Sequence, residues 1–229
     1  MNYSVKNKIP RSTSDEKNCQ RLAKFGVATV SECQKKQGVM DPAIRPVVPG
    51  KSVSGVAVTV KCFDADNLML HLAIAECTKG DFLVVSTNTQ TRNGYFGELM
   101  ATSSIARGIS GIVIDGGVRD TKSLIDLEFP TWSRYICVTG TSKTNPGWVN
   151  SPIVCGGVDV HPGDFIVADD DGVAVVPRDS VDEVLENCED RTTRENNVRE
   201  RLRNGELAID IYDLRTNLQK IGVKFENGK

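Results

Sequence analysis

The chain has 229 residues, a formal net charge of −2, and 25% charged against 39% hydrophobic residues. This is the composition of an ordinary globular protein that is long enough to bury a sizeable core. The basic residues are not clustered as on a nucleic-acid surface, no apolar run reaches the length of a membrane span, and the N-terminus lacks the apolar core of a secretory signal. We therefore expect a cytoplasmic protein without nucleic-acid or membrane partners.

Alternating helical and strand patterns in the first half of the chain predict an α/β fold. Regular alternation or an apolar run predicts strands, and helices are bounded by acidic starts and glycine ends. Asp64 or Asp66 is expected to begin the second helix, which is apolar almost all round. The predicted elements are a short helix closed by Gly38 (26–38), a strand (54–62), a buried helix (64–77), a strand (80–86), a helix closed by Gly108 (97–108) and a strand (111–116).

The second half changes first to strands and then to helix. Residues 130–177 show a β pattern, in which Asp171-Gly172 is a hairpin signal. The acidic run 169–172 lacks the alternating spacing of a calcium loop, so a hairpin turn explains it better. Ser180 and Glu183 form a capping-box pattern that opens a helix running to Gly205. Without a linker signal, we predict one domain over residues 1–229, with a C-terminal helical extension from about residue 180.

Seven cysteines are scattered along the chain, and no two of them form a Cys-x-x-Cys pair. Their odd number and irregular spacing argue against a disulfide framework and against a zinc site. Free thiols in a reducing compartment are the expectation.

The first candidate site is the start of the helix predicted over 97–108. Gly97 comes just ahead of Glu98, Leu99 and Met100. The first backbone N–H groups of a helix have no intrahelical partner, and the dipole makes this end positive, so it can bind an anion. The alternative is a plain helix start in which Glu98 favours the dipole.

The second candidate site is Arg119-Asp120, which follows the apolar run 112–114 and the pair Gly116-Gly117. Arginine offers a planar fork for a carboxylate or carbonyl oxygen, and a lone aspartate with water is a typical magnesium ligand. The glycines are expected to let a ligand approach the backbone closely. Asp115 is a reserve ligand, or alternatively only ends the strand. Alternatively, Asp120 is the N-cap of a helix that begins at residue 121, with Arg119 in a structural ion pair.

The third candidate is Glu195, which falls on the apolar stripe of the C-terminal helix. It lies seven residues after Cys188 and seven before Leu202, so helical periodicity places it on the same face as both. A carboxylate buried on such a stripe needs a partner. The alternative is a break in the stripe, with Glu195 solvated among neighbouring arginines.

Together these segments resemble a known family. The run GELMATSSIARGISGIVIDGGVRD, with DNLMLHLAIAEC, FPTWSRYI, VHPGDFIVADDDGVAVVP and RERLRNGELAIDIYDLR, is similar to the RraA-like superfamily. The likeness is closer to its class II pyruvate aldolases, the 4-hydroxy-4-methyl-2-oxoglutarate / 4-carboxy-4-hydroxy-2-oxoadipate aldolases. The resemblance implies an α/β fold of the αββα sandwich type, similar to the swivelling phosphohistidine-type domain, and a homo-oligomer that is a trimer or a hexamer built from trimers.

The resemblance also implies roles for the pyruvate end of the site. Asp120 would hold Mg²⁺ or Mn²⁺, largely through water, and Arg119 would bind the keto oxygen of a small-molecule 2-oxo acid and stabilise its enolate. The backbone amides of Leu99 and Met100, next to Gly97, would hold the substrate carboxylate. Glu98 stands where relatives often carry aspartate, so its role near the metal-bound water is open.

At the other end of the substrate, Asn67 and His71 match positions that face its distal part. They are spaced i and i+4, so they share one helix face; for His71 the alternative is a satisfied core histidine. Glu195 matches an acid supplied across a subunit interface. The reaction implied is metal-dependent cleavage to pyruvate and a 2-oxo acid, with oxaloacetate decarboxylation as a side activity. The alternative is an RraA-type protein that binds and inhibits an RNA-degrading endonuclease.

Overall fold

The computed structural model describes residues 3–87, 89 and 92–223. Strands are β1 (Ser4–Val5), β2 (Arg45–Pro46), β3 (Val53–Cys62), β4 (Asp81–Thr87), β5 (Gly94–Phe96), β6 (Gly111–Val118), β7 (Thr131–Ile136), β8 (Trp148–Val149), β9 (Ile153–Cys155), β10 (Val158–Val160), β11 (Phe165–Asp169) and β12 (Gly172–Val176). Helices are α1 (Thr13–Cys33), α2 (Leu68–Glu76), α3 (Glu98–Ala106), α4 (Thr121–Asp126), α5 (Val181–Arg203), α6 (Ala208–Ile211) and α7 (Leu214–Lys220).

Four parallel strands form the centre of the main sheet. β3 pairs with β4, β4 with β6, and β6 with β7, all parallel. β5 adds to the carboxyl end of β6, also parallel. The hairpin β11–β12 joins through antiparallel pairing of β11 with the first half of β3, and β9 and β10 form a separate two-stranded sheet. Parallel strands need covered faces on both sides, which the helices and this second β layer provide.

Three buried clusters separate four layers. The first lies between α2, α3, α4 and one face of the parallel strands, and it includes Leu70, Ala73, Ala101, Leu124, Val85 and Ile112. The second lies between the opposite face and β9–β12, and it includes Phe82, Val84, Val113, Trp132, Cys155 and Val173. The third lies between β11–β12 and the helices α1 and α5, and it includes Leu22, Val30, Val167, Val176 and Leu185. The order of the layers is therefore α, β, β, α, which confirms the predicted αββα sandwich.

Helix α1 is longer than predicted and contains a break. The predicted segment 26–38 matches only its second part, because the helix begins at Thr13 behind a capping box of Ser12 and Asp15 and ends at Cys33. Gly26 breaks it with φ of +78°. There the carboxylate of Asp169 accepts the N–H of Val27 at 2.8 Å, so a residue 142 positions away caps the second segment. This cap cannot be predicted from local sequence.

Other predicted elements differ mainly at their ends. The predicted strand 111–116 continues to Val118, with an irregular register between Ile114 and Gly117. The hairpin at 169–172 is confirmed, because Asp169 pairs with Gly172 across the β11–β12 turn. Helix α2 begins at Leu68, whose N–H donates to Asp66 Oδ1 at 2.8 Å, so of the two predicted starters Asp66 makes this bond. All seven cysteines are free thiols.

The chain separates into two compact units, Met1–Cys188 and Glu189–Lys229. The first two turns of α5 belong to the first unit, since its Val181, Val184, Leu185 and Cys188 are buried in the third cluster. A 3₁₀ turn, Arg178–Ser180, leads into this helix. In the second unit α6 and α7 contain no buried residue. Within the described part of the chain, no helix combines the length and hydrophobicity required to cross a membrane.

The start of α1 generates a stability prediction. Asp15 is 4% exposed. Its two carboxylate oxygens accept hydrogen bonds from Arg178 Nη2 at 2.9 and 2.8 Å, and one of them also accepts the N–H of Ser12 at 2.9 Å. Burial raises the pKa of this carboxyl, but the Ser12 and Arg178 bonds outweigh it and lower the pKa below 3.8. The contribution to stability is therefore fully present above about pH 4 and is lost as the pH falls through the lowered pKa.

We expect Asp15→Asn to lower the free energy of unfolding at pH 7 by about 1–3 kcal/mol, the cost of weakening a charged hydrogen bond. Urea unfolding followed by circular dichroism measures this, and the difference from wild type should shrink as the pH falls below 3.8. Asp159→Asn, at an exposed position, is the control and should change little. An equal loss at pH 7 and at pH 3 would contradict the role of the Asp15 charge.

Candidate functional site

A cavity of about 380 Å³ lies beyond the carboxyl ends of β5, β6 and β7. In parallel α/β sheets, ligands bind at these ends, where loops rather than strands supply the side chains. The cavity is lined by Asn67, His71, Gly94, Tyr95, Phe96, Gly97, Leu99, Met100, Arg119, Asp120, Gly140, Thr141 and Lys143. The structure thus brings together seven of the nine predicted site residues, from three separate segments of the chain. The other two, Glu98 and Glu195, are not among the lining residues.

Two other cavities, of about 670 and 650 Å³, lie beside the two ends of α1. Volume alone would favour them. The 380 Å³ cavity is the stronger candidate because a guanidinium, a carboxylate and the N-terminus of a nine-residue helix meet in it.

Asp120 occupies the N-cap position of α4, but its side chain makes no capping bond to that helix. Its backbone is left-handed, with φ of +57°, a conformation that costs a non-glycine residue about 1 kcal/mol or more. Instead, Asp120 Oδ2 accepts the N–H of Glu98 at 3.1 Å. The side chain is 43% exposed. The strained backbone therefore directs the carboxylate to the start of α3, and a simple capping role does not explain it.

Arg119 lies beside this carboxylate, with its Nε 3.8 Å from Asp120 Oδ2 and its side chain 48% exposed. Such an exposed, loosely formed ion pair contributes little to stability. Two glycines make room for the pair. A Cβ at Gly97 would overlap the Asp120 carboxylate, and one at Gly140 would lie 3.3 Å from an Arg119 guanidinium nitrogen.

The expectation that Gly116 and Gly117 admit a ligand is wrong. A Cβ at Gly117 would lie 2.5 Å from the carbonyl oxygen of Asn93, and one at Gly116 would lie 3.3 Å from the Ile114 side chain and 3.5 Å from that of Thr87. Gly117 is needed because β5 packs closely against β6. The glycines that open the cavity are those identified above, on other segments.

The start of α3 contributes two first-turn residues to the cavity lining. The N–H of Ala101 donates to Gly97 O at 3.0 Å, the first bond of the helix, and that of Glu98 is used by Asp120. Leu99 and Met100 line the cavity, and first-turn N–H groups have no partner within a helix. The Glu98 side chain accepts Thr102 Oγ1 at 3.1 Å. The arrangement is suited to an anion.

Asn67 forms a buried part of the cavity wall, with 5% of the residue exposed. Its Nδ2 donates to the carbonyl oxygen of Tyr95 at 2.8 Å. Its Oδ1 is buried without a hydrogen-bond partner among the residues that the structure describes. Because a buried amide oxygen left unpaired is costly, this atom is a candidate acceptor for a ligand hydroxyl.

His71 is one turn further along α2 and is exposed, so the alternative of a satisfied core histidine is wrong. Partial burial, together with the positive charge of Lys143, lowers its pKa below 6.5. His71 is therefore neutral near pH 7, and Lys143 supplies the positive charge on this side. Sequence reasoning missed Lys143, although the run TGTSKTN at 139–145 follows β7 and small polar residues after a parallel strand are a signal for ligand loops.

Two further candidates, Asp115 and Glu195, each form an ion pair with an arginine. Asp115, the reserve metal ligand, is held by Arg134 Nε at 2.5 Å and accepts the N–H of Gly156 at 2.9 Å. It does not line the cavity and is part of a structural ion pair. Glu195 belongs to the second compact unit, where it is 40% exposed and pairs with Arg191 at 2.7 Å. The stripe on which it lies is buried only as far as Cys188, since Leu202 is 41% exposed.

Among the residues that line this cavity, Asp120 supplies one carboxylate that could bind a divalent cation. Groups of three or more His, Cys, Asp or Glu side chains suited to a metal do not occur among residues 3–87, 89 and 92–223. Asp120 fits Mg²⁺ or Mn²⁺, hard ions that keep much of their water and take one or two carboxylates plus substrate oxygens. It does not fit a structural zinc site, which needs four protein ligands.

These features define an αββα protein with an anion-compatible, oxygen-ligand site at the ends of its parallel strands. Residues 17–175, more than half of the chain, match the RraA-like family, described as Aldolase/RraA. The chain therefore belongs to the RraA-like family, and the resemblance inferred from its sequence is confirmed at that level.

Several relatives are similar over most of their length. A Halalkalibacterium halodurans protein with the provisional name 4-hydroxy-4-methyl-2-oxoglutarate aldolase is 34% identical over 178 residues, 78% of this chain and 82% of its own. A Pseudomonas syringae pv. tomato crystal structure of an uncharacterised protein has a TM-score of 0.76 and 26% identity, covering 87% and 96% of the two chains. Streptomyces coelicolor RraAS2, described as an unusual member of the RNase ES inhibitor RraA family, has a TM-score of 0.74 and 27% identity, covering 83% and 99%.

Proposed function

We propose that this protein is a divalent-metal-dependent class II aldolase that cleaves 4-hydroxy-2-oxo acids to pyruvate and a second 2-oxo acid. Substrates of the size of 4-hydroxy-4-methyl-2-oxoglutarate or 4-carboxy-4-hydroxy-2-oxoadipate fit this description. The main observation in support of this proposal is that Arg119, Asp120 and the first turn of α3 lie in one cavity. The provisional names of relatives support the same reaction class.

The pyruvate end of the substrate is assigned to α3 and Arg119. The N–H groups of Leu99 and Met100 would hold its carboxylate, because both the open donors and the helix dipole favour an anion there. Arg119 would donate to the keto oxygen and to the enolate oxygen that replaces it. A donor aimed at developing charge stabilises the transition state more than the ground state.

Asp120 would hold Mg²⁺ or Mn²⁺, which when bound supplies Lewis-acid polarisation of the C2 carbonyl. For cleavage, the C4 hydroxyl loses its proton and its O–H electron pair forms the new C4 carbonyl. The C3–C4 electron pair passes to the enolate, which Arg119 stabilises, and C3 is then protonated to give pyruvate. Glu98, and Glu195 from a neighbouring subunit, are the carboxylates proposed to exchange these protons through water.

The distal end of the substrate is assigned to Asn67, His71 and Lys143. The unpaired Asn67 Oδ1 would accept a substrate hydroxyl. Neutral His71 would donate a hydrogen bond, and Lys143 would pair with a distal carboxylate. Oxaloacetate can use the same enolate stabilisation by losing CO₂, so decarboxylation is expected as a side activity.

A second function is supported by the likeness to RraAS2, whose family is described as RNase ES inhibitors. A protein of that kind needs no catalytic group in the cavity. The two functions differ in one observable, because only the aldolase releases pyruvate from oxaloacetate.

The first prediction concerns metal-dependent turnover at Asp120. Pyruvate release from oxaloacetate, followed with lactate dehydrogenase and NADH, should disappear with EDTA and return with excess Mg²⁺ or Mn²⁺. Asp120→Asn should lack the metal-dependent activity, because an amide keeps the shape but loses the charge that holds the cation. Asp126→Asn, on the exposed face of α4, is the matched control and should remain active. A wild-type protein without any pyruvate release would leave the inhibitor function as the better proposal.

The second prediction concerns the Arg119 fork. Arg119→Lys keeps the charge but loses the planar, two-pronged geometry, so kcat should fall by roughly 10²-fold or more, as when one oxyanion donor is lost. Steady-state kinetics measure this, with Arg45→Lys, at an exposed position, as control. Unchanged kinetics in Arg119→Lys would remove this residue from the proposed mechanism.

The third prediction concerns assembly. We propose a trimer, or a hexamer built from two trimers, in which Glu195 serves the site of a neighbour, since head-to-tail donation of a helix closes by rotation. Asp120→Asn and Glu195→Gln, each inactive alone, should regain part of the activity when refolded together, because some interfaces then pair an intact Asp120 with an intact Glu195. Light scattering measures the assembly state. A fully active monomer, an active Glu195→Gln variant, or an assembled but inactive mixture would contradict the proposal.

A further inference from the structure

One wall of the cavity is the loop segment 140–145, called here the 140–145 wall. Its Gly140, Thr141 and Lys143 line the cavity. The wall is attached at its beginning by Asn93, whose Nδ2 donates to Gly140 O at 2.7 Å. The wall has no regular strand or helix, so individual hydrogen bonds hold its other end.

The other end is held by a buried carboxylate, that of Asp66, which is 1% exposed. Its Oδ2 accepts Ser142 Oγ at 2.7 Å and the backbone N–H groups of Thr144 and Asn145 at 2.7 and 2.9 Å. Burial raises the pKa of this carboxyl, but these donors outweigh it and hold the pKa far below 3.8. Asp66 is therefore ionised at neutral pH, and all of these donors bind one oxygen.

The second oxygen of Asp66 accepts the N–H of Leu68 at 2.8 Å, at the start of α2. The next turn of this helix carries His71, and Asn67 precedes it. Backbone bonds strengthen the junction, because Ser142 N donates to Ala65 O at 2.8 Å and Asn67 N to Ser142 O at 3.1 Å. A single carboxylate thus joins the helix start that carries Asn67 and His71 to the wall that carries Lys143.

We propose that Asp66 is a positioning residue that sets the distance between Lys143 and His71, and hence the fit of the distal carboxylate of the substrate. The proposal rests on the function proposed above. Asp66 does not line the cavity and acts only through the wall. Asparagine cannot replace it, because either orientation of the amide turns its NH₂ group towards N–H donors, at Leu68 or at Thr144 and Asn145.

The test compares Asp66→Asn with Asp81→Asn. Asp81 is also fully buried and accepts a backbone N–H, that of Thr78 at 2.7 Å, but it does not line the cavity or contact the 140–145 wall. In hydrogen-exchange experiments on the intact chain, Thr144 and Asn145 amides should exchange about tenfold faster or more in Asp66→Asn, since their bonds to the carboxylate open locally. Asp81→Asn should leave these two amides as in wild type.

Kinetics with 4-hydroxy-4-methyl-2-oxoglutarate provide the second readout. Asp66→Asn should raise KM about tenfold while changing kcat much less, the signature of lost ground-state binding. In a Lys143→Met background the same change should alter KM less than twofold, because the interaction that Asp66 positions is already gone.

Two results would overturn the proposal. The first is unchanged exchange at Thr144 and Asn145, and the second is a KM effect of Asp66→Asn that persists in full without Lys143. Amide hydrogen exchange can be measured without catalytic turnover. It therefore tests whether Asp66 anchors the 140–145 wall even if the wild-type protein has no aldolase activity. That inactivity would contradict the proposed function and not the anchoring by Asp66.

Discussion

The parallel pairing of β6 between β4 and β7 is the constraint on which the other features of the first unit depend. Both faces of these strands are buried, one under α2–α4 and the other under β9–β12. The faces of the sheet therefore cannot bind a polar ligand. Such a ligand can bind only at the strand ends, where backbone groups and loops are accessible. Parallel pairing aligns all carboxyl ends at one edge, so segments distant in sequence contribute to one cavity.

At that edge, one contact links the two charged functions of the site. The Asp120 carboxylate accepts the N–H of Glu98, so the end of β6 fixes the position of the α3 N-terminus. Gly97 is required between them because any side chain there would overlap the carboxylate. This hydrogen bond therefore positions the proposed metal ligand and the proposed carboxylate-binding amides relative to each other. It requires the strained backbone conformation of Asp120.

The second unit, Glu189–Lys229, has a different character. Its helices α6 and α7 have no buried residue, and Leu207, Tyr212 and Ile221 are each more than half exposed. Glu195 there pairs with an arginine on its own helix. The proposed role of Glu195 in catalysis rests on its donation to a neighbouring subunit, and the mixing of two inactive variants tests it.

The sequence by itself determined the α/β class, most element positions and the residues of the two charged segments. Alternation, apolar runs and glycine ends are local signals, and they hold because burial of a strand or helix face is encoded residue by residue. The same reasoning gave Gly116-Gly117 and Asp115 the wrong roles, and it overlooked Lys143 and the bonds of Asp66 to the 140–145 wall. Those errors share one physical reason. Whether a glycine meets a strand or a ligand, and whether a carboxylate meets an arginine, a loop or a metal, depends on contacts between residues far apart in the chain, and only the tertiary structure decides those contacts.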